Sequence, residues 1–167
     1  LFMQGTKTAA FECWEQLGGQ APDIVILPVG NGSLLLGLAS GFRELKQAGA
    51  ISRLPRLIAV QAEQVSPVFA EFYQIPPEGW GRTCASGIAV VQPRRLQQIV
   101  HVLRECAGSV ITVDENAILL AKQTAARQGF YVEDSAAAAL AGARQIIPTL
   151  SARETAILFL TGHGLKK

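Results

Sequence analysis

The chain has 167 residues, 49% of them apolar and only 17% charged, with a mean hydropathy of +0.27 and a net charge of +2. That length suits one domain with a sizeable core. The small, scattered positive charge argues against nucleic acid as a partner, and no apolar run approaches the roughly 18 residues that cross a membrane. Cys13, Cys84 and Cys106 are odd in number, far apart and without a Cys-x-x-Cys pair. They read as free buried thiols in a reducing cytoplasm. Two histidines argue against a histidine metal site, and the N-terminus carries no signal-peptide pattern.

In chain order, the spacing predicts a helix over about 6–17 that ends at Gly18-Gly19, then Pro22-Asp23 leading into a strand over 24–29. That strand, Ile24-Val25-Ile26-Leu27-Pro28-Val29, is continuously apolar, as in a parallel sheet buried on both faces. A helix from about 33 to 48 follows, with Leu34, Leu38, Phe42 and Leu45 on one face and Gly49 just past its end. Arg56 to Glu63 is the second strand, and Ser66-Pro67 starts a helix through about 73. Residues 75–93 lack a period and read as an irregular loop. Pro93 opens a helix to about 106, closed by Gly108, and 109–113 is a third strand. Asp114 caps a helix that Gly129 ends. Phe130-Tyr131-Val132 reads as a short strand, Ser135 begins an alanine-rich helix stopped by Pro148, and 155–160 reads as a last buried strand. The alternation predicts an α/β fold with three αβα layers around a mainly parallel sheet.

Two turns follow strands and can face one ligand beyond the carboxyl ends of the sheet, Gly30-Asn31-Gly32-Ser33 and Thr161-Gly162-His163-Gly164. In the first, backbone amides at a helix N-terminus suit a phosphate. It can also be an ordinary glycine turn. A dinucleotide fingerprint fits poorly, because Leu35 stands where Gly-x-Gly-x-x-Gly needs its third glycine. Glu63 also lies well beyond the usual ~20 residues from the loop. A walled-in monophosphate, with the Ser33 hydroxyl as an added donor, fits better. Thr161 can cap its turn or meet a heteroaromatic nitrogen. Glu133 can face the same cleft, Asp134 suits a helix N-terminus, and His163 reads as a backbone-bonded histidine ahead of a catalytic one.

Gly5-Thr6-Lys7-Thr8, Pro28-Val29-Gly30-Asn31-Gly32, Val60-Gln61-Ala62-Glu63, Thr83-Cys84-Ala85-Ser86-Gly87-Ile88, Val132-Glu133 and Thr161-Gly162-His163-Gly164-Leu165-Lys166 occur in the order seen in threonine synthases. The chain resembles that family along essentially its whole length, most specifically in the closing Thr-Gly-His-Gly-Leu-Lys, where related dehydratases and racemases usually carry Ser-Gly-Gly-Asn. The resemblance implies a fold type II, pyridoxal-phosphate-dependent enzyme of the tryptophan synthase β kind. It implies that Gly30, Asn31, Gly32, Ser33 and Leu34 hold the phosphate of pyridoxal 5'-phosphate and that Thr161 meets the pyridine nitrogen. Ala85 then lines the ring face and Glu133 lies near the cofactor.

The resemblance implies the reaction of O-phosphohomoserine with water to give threonine and phosphate in a full-length lyase of amino-acid biosynthesis. It allows a homodimer. Two departures stand out. Ser33-Leu34 replaces the last two residues of a loop that commonly reads Gly-Asn-Gly-Gly-Asn, and Glu133-Asp134-Ser135-Ala136 replaces Glu-Pro-Ala-Ser. The family's Schiff-base lysine lies in a Ser-Phe-Lys-Asp type motif that does not occur here. The lysines are Lys7, Lys46, Lys122, Lys166 and Lys167, none in such a setting. The reading is therefore a single α/β domain over 1–167, the C-terminal portion of a larger enzyme. It needs the N-terminal part of its own chain for the lysine and for much of the amino-acid pocket, and is inactive alone. A neighbouring β-eliminase or ammonia-lyase, and a non-catalytic binding module that keeps the fold, are the alternatives.

Overall fold

A computed structural model describes residues 2–165, with side chains from residue 4 onward. Leu1, Lys166 and Lys167, including the last residue of the closing motif, lie outside the described residues. The elements in order are α1 (Phe2–Thr6), α2 (Thr8–Gln16), β1 (Ile24–Pro28), α3 (Ser33–Gln47), β2 (Arg56–Ala62), α4 (Pro67–Tyr73), α5 (Leu96–Glu105), β3 (Ser109–Val113), α6 (Glu115–Arg127), α7 (Asp134–Ile146) and β4 (Ala156–Leu158). Short 3-10 turns sit at Ser86–Ile88 and Ile147–Thr149.

The four strands form one sheet in the order β3-β2-β1-β4, and every pairing is parallel. Alternate residues of β1 serve opposite faces, as the pleat requires. Val25 and Leu27 join Leu57, Ala59 and Val110 beneath α2, α3 and α5, where Leu38, Phe42, Ile99 and Leu103 are buried. Ile24 and Ile26 join Ile58, Val60 and Val113 beneath α6 and α7. Both faces are covered, so the sheet is the middle of three αβα layers. Helix α7 presents alanines at 136, 137, 138, 139, 141 and 143 to its neighbours, all buried. A Cβ at Gly142 would lie 2.6 Å from a Val60 methyl, so the small residues let this helix lie close on the sheet.

Three elements differ from the sequence reading. The first helix is two, divided at Lys7, whose carbonyl is pressed against Gly41 of α3. The Lys7 ammonium donates to both carboxylate oxygens of Glu44 at 2.9 and 3.1 Å. Residues 130–132 form no strand. Val132 makes one antiparallel bridge to His163, while Phe130 and Tyr131 are exposed. Only Val132 reaches a core, so the segment has nothing else to bury. The last strand is Ala156–Leu158 alone, and its residues are exposed or half-buried rather than buried. Among the described residues it pairs with β1 alone, which leaves its other edge unpaired there.

Candidate cofactor site

The chain steps outward through β1, β2 and β3 and then returns to the far side of β1 as β4. The sheet therefore changes direction between β1 and β4. Crossover helix α3 lies on one face and α7, which leads into β4, lies on the other. At such a switch point the loops beyond the strand ends separate and leave a crevice for a ligand.

A cavity of about 290 Å³ occupies this place. The loop after β1 lines it with Gly30, Asn31, Gly32, Ser33 and Leu34, the turn after β4 adds Thr161, and the approach to α7 adds Glu133. All six residues expected to hold the cofactor thus meet at one cavity, joined by Glu133. Ala85 does not line it. Ala85 is fully buried in the α6–α7 core, and its neighbours Gly87 and Ile88 form that wall instead. His163 sits outside the cavity, edge-on to the Tyr131 ring at 5.5 Å, and its Nδ1 accepts from the Leu165 amide at 3.2 Å. It holds the closing turn, as a backbone-bonded histidine should.

The loop after β1 has little freedom. The Val29 amide donates to the Val60 carbonyl at 2.9 Å, and the Val29 carbonyl accepts from Gln61 Nε2 at 3.1 Å. A Cβ at Gly30 would crowd Ile88 Cα at 3.1 Å and the Gly87 carbonyl at 3.2 Å. Gly32 takes a left-handed φ of +76° and caps α3 without a side-chain hydrogen bond. A Cβ there would run into Ile99. Glycine is thus required at 32, for backbone sign and space, and favoured at 30, where any side chain would push its neighbours back by a few tenths of an ångström. The result is a bare first turn of a 15-residue helix, whose opening amides have no carbonyl partner within the helix. The loop that carries these amides lines the cavity and bears no acidic side chain of its own. The arrangement suits a phosphate ester. The cavity volume accommodates one small ring attached to it.

Opposite this loop, the Glu133 amide donates to the Gly162 carbonyl at 3.0 Å, and the Glu133 carboxyl stands where a side chain at 162 would go. Glu133 therefore sets the position of the turn that carries Thr161. Asp134 is directed away and accepts from Lys122 Nζ at 2.8 Å. That pairing raises the Lys122 pKa, chiefly through the hydrogen bond. Lys7 is paired with Glu44, and among the described residues no lysine lines the cavity.

A sequence model of the family described as "Pyridoxal-phosphate dependent enzyme" matches residues 1–162. The chain belongs to that family. It is 33% identical over 171 residues to a threonine synthase of Methanosarcina acetivorans, covering 98% of this chain and 42% of that protein. It is 35% identical over 165 residues to a threonine synthase of Synechocystis, again covering 98% of this chain and 42% of the relative. This pyridoxal-phosphate enzyme domain is therefore related to threonine synthases and spans less than half the length of these relatives. Among solved structures it is similar to a threonine deaminase from T.th., with a TM-score of 0.76 and 28% identity over 96% of this chain and 56% of that one. A fungal L-serine ammonia-lyase from Rhizomucor miehei matches in fold, with a TM-score of 0.79 and 24% identity over 96% of this chain and 51% of that one. These neighbours are fold type II pyridoxal-phosphate enzymes. Among the described residues no helix is long and apolar enough to cross a membrane.

Sequence reasoning gave no role to Gln61, which supports the site from below, or to the cavity-lining Gly87, Ile88 and Ser135. Gln61 is a fully buried amide within an apolar strand, a signal visible as one polar residue in the run 57–62. Besides Val29 it serves α4, where its Oε1 accepts from the Val68 and Phe69 amides at 2.9 and 3.1 Å. Gly87 and Ser135 also line the cavity, and only the folding of the irregular loop against α7 brings them there.

Proposed function

We propose that this domain is the cofactor-holding, C-terminal portion of a threonine-synthase-like lyase that converts O-phosphohomoserine and water to threonine and phosphate. One observation carries the reading. The amide-rich loop after β1 and Thr161 after β4, distant in sequence, share a cavity at the switch point of a parallel sheet. In this reading the amides of Gly30 to Leu34 and the Ser33 hydroxyl hold the ester phosphate. The Thr161 hydroxyl meets the ring nitrogen, and as a neutral partner it leaves that nitrogen largely unprotonated. Glu133 positions the Thr161 turn through Gly162.

When bound, the cofactor supplies an electron sink for the amino acid's reacting carbon. The residues of this chain bind and orient it. The covalent partner, an imine-forming lysine, and much of the amino-acid pocket are assigned to an N-terminal portion, so the 167-residue chain by itself binds without turning over. The whole enzyme is assigned to the cytoplasm and to amino-acid biosynthesis, with an amino acid as its small-molecule substrate and a homodimer as its assembly.

A second reading, a β-eliminase releasing ammonia, is favoured by Leu34. Its isobutyl group lines the cavity with no polar atom to offer a phosphorylated substrate, and a threonine deaminase is among the structural neighbours. Product analysis on the complete protein separates the two. Threonine and inorganic phosphate from O-phosphohomoserine support the first, whereas an oxo acid with ammonia from threonine or serine supports the second. For the domain itself, pyridoxal 5'-phosphate titrated into the 167-residue chain should bind, and Gly32→Ala and Thr161→Val should each weaken it. Failure of the wild-type chain to bind removes the proposal.

A further inference from the structure

The cavity has a wall that the cofactor reading above leaves without a role. Ser135, in the first turn of the 13-residue α7, is only 4% exposed and lines the cavity. Its hydroxyl hydrogen-bonds to no described residue. A Cβ at Gly87 would lie 2.6 Å from Ser135 Oγ, so the absence of a side chain at 87 keeps the hydroxyl uncovered on the cavity side. The residue is buried, yet its hydroxyl opens to the cavity and is not among the sealed, unpartnered polar atoms of the described residues, so it is free to donate to or accept from a ligand there. The same first turn leaves amides without helix partners.

Position decides which end of the ligand Ser135 faces. The phosphate-cradling loop opens α3 on one face of the sheet, and Ser135 arrives on α7 from the other. Ser135 is two residues from Glu133, which packs on Gly162 beside Thr161. We infer that the Ser135 hydroxyl is a hydrogen-bonding contact to the ring end of the bound cofactor, distinct from the loop that holds its phosphate. This rests on the cofactor reading of the cavity. Alanine at 135 keeps the helix, since alanine is a strong helix former, and removes only the hydroxyl.

The test titrates pyridoxal 5'-phosphate into the 167-residue chain, with inorganic phosphate as a competitor that fills the phosphate loop alone. Ser135→Ala should weaken the cofactor about 3- to 10-fold, the loss of one neutral hydrogen bond. Phosphate competition and the thermal midpoint of the free chain should stay unchanged. Ser86→Ala, in the same wall but exposed and off the cavity, should bind as wild type. Unchanged cofactor affinity in Ser135→Ala overturns the inference. An equal loss for inorganic phosphate does too, because it places the hydroxyl on the phosphate, as does an equal loss in Ser86→Ala. If the wild-type chain binds no cofactor, the cavity reading falls and this inference falls with it. If Gly32→Ala abolishes binding while Ser135→Ala leaves it intact, only this inference falls.

Discussion

Glu133 and Gly162 are interlocked: the amide of one donates to the carbonyl of the other at 3.0 Å, and the carboxyl of the first fills the side-chain space of the second. Gly162→Ala must therefore expel the Glu133 carboxyl or shift the turn holding Thr161. Cofactor affinity should fall at least about 10-fold, the equivalent of roughly 1.4 kcal/mol. The fold should survive, because the turn lies at the open edge beyond β4. Titration followed by tryptophan fluorescence, paired with a urea melt, separates the two effects.

Gly32→Ala combines two penalties. A left-handed residue with a Cβ costs about 1–2 kcal/mol, and the new methyl overlaps Ile99 of α5. A total destabilisation of about 2–3 kcal/mol is expected. Combining Gly32→Ala with Ile99→Ala, which removes both the Cγ1 and the Cδ1 that the new methyl overlaps, should recover the steric part relative to Ile99→Ala alone, since no change at 99 alters the sign of φ. Urea midpoints of the two single variants and the double variant measure this directly.

Gln61→Leu keeps the volume but orphans the buried amide of Val68, the amide of Phe69 and the carbonyl of Val29. The expected cost is about 2–4 kcal/mol, because unsatisfied groups pay their full desolvation. Since Val29 leads into Gly30, cofactor binding should weaken as well. Calorimetry that finds this variant as stable as wild type would show that the three bonds contribute little.

The Glu115 carboxylate accepts from the Cys84 amide at 2.8 Å and so ties the start of α6 to the 83–88 segment. Burial alone pushes its pKa up, but hydrogen bonds from Cys84 and Thr83 outweigh this and hold it below its ordinary value of 4.5. A depressed carboxyl pKa stabilises the fold above the unfolded value, and that contribution is lost as pH falls through the folded one. Glu115→Gln should thus cost about 1–2 kcal/mol at pH 7. Its deficit relative to wild type should shrink as the pH drops below about 4. Melts across a range from about pH 3 to 7 test the sign.

The surroundings of Cys84 also disfavour its thiolate. Burial first, and then its hydrogen bond to Glu115, push its thiol up to about 12. Burial likewise puts Cys106 at about 11 and raises Cys13. Since the thiolate is the reacting form, iodoacetamide at about pH 8 should label the native chain far more slowly than the urea-unfolded one at all three positions. Rapid native labelling at Cys84 would contradict this.

What the residues determined unaided is what depends on neighbours in sequence. The unbroken run from Ile24 to Val29 dictated a strand buried on two faces. Asp114 dictated a cap, its Oδ1 accepting from the Ala117 amide at 2.8 Å. Gly30-Asn31-Gly32-Ser33 dictated a turn whose amides suit an anion. Each follows from local propensity and periodicity, which one segment carries by itself. Tertiary structure decided the rest. The helix breaks at Lys7, whose carbonyl packs on Gly41 of α3, and 130–132 pairs, among the described residues, only through the bridge of Val132 to His163. Ala85 sinks into the core while Gly87 comes to the cavity wall, because a loop without a period has no local rule for which side faces inward, and Ser135 meets Gly87 there only because that loop packs against α7. Most of all, the meeting of Thr161 with a loop far earlier in the chain depends on β4 returning beside β1, a pairing of distant strands that no single segment encodes.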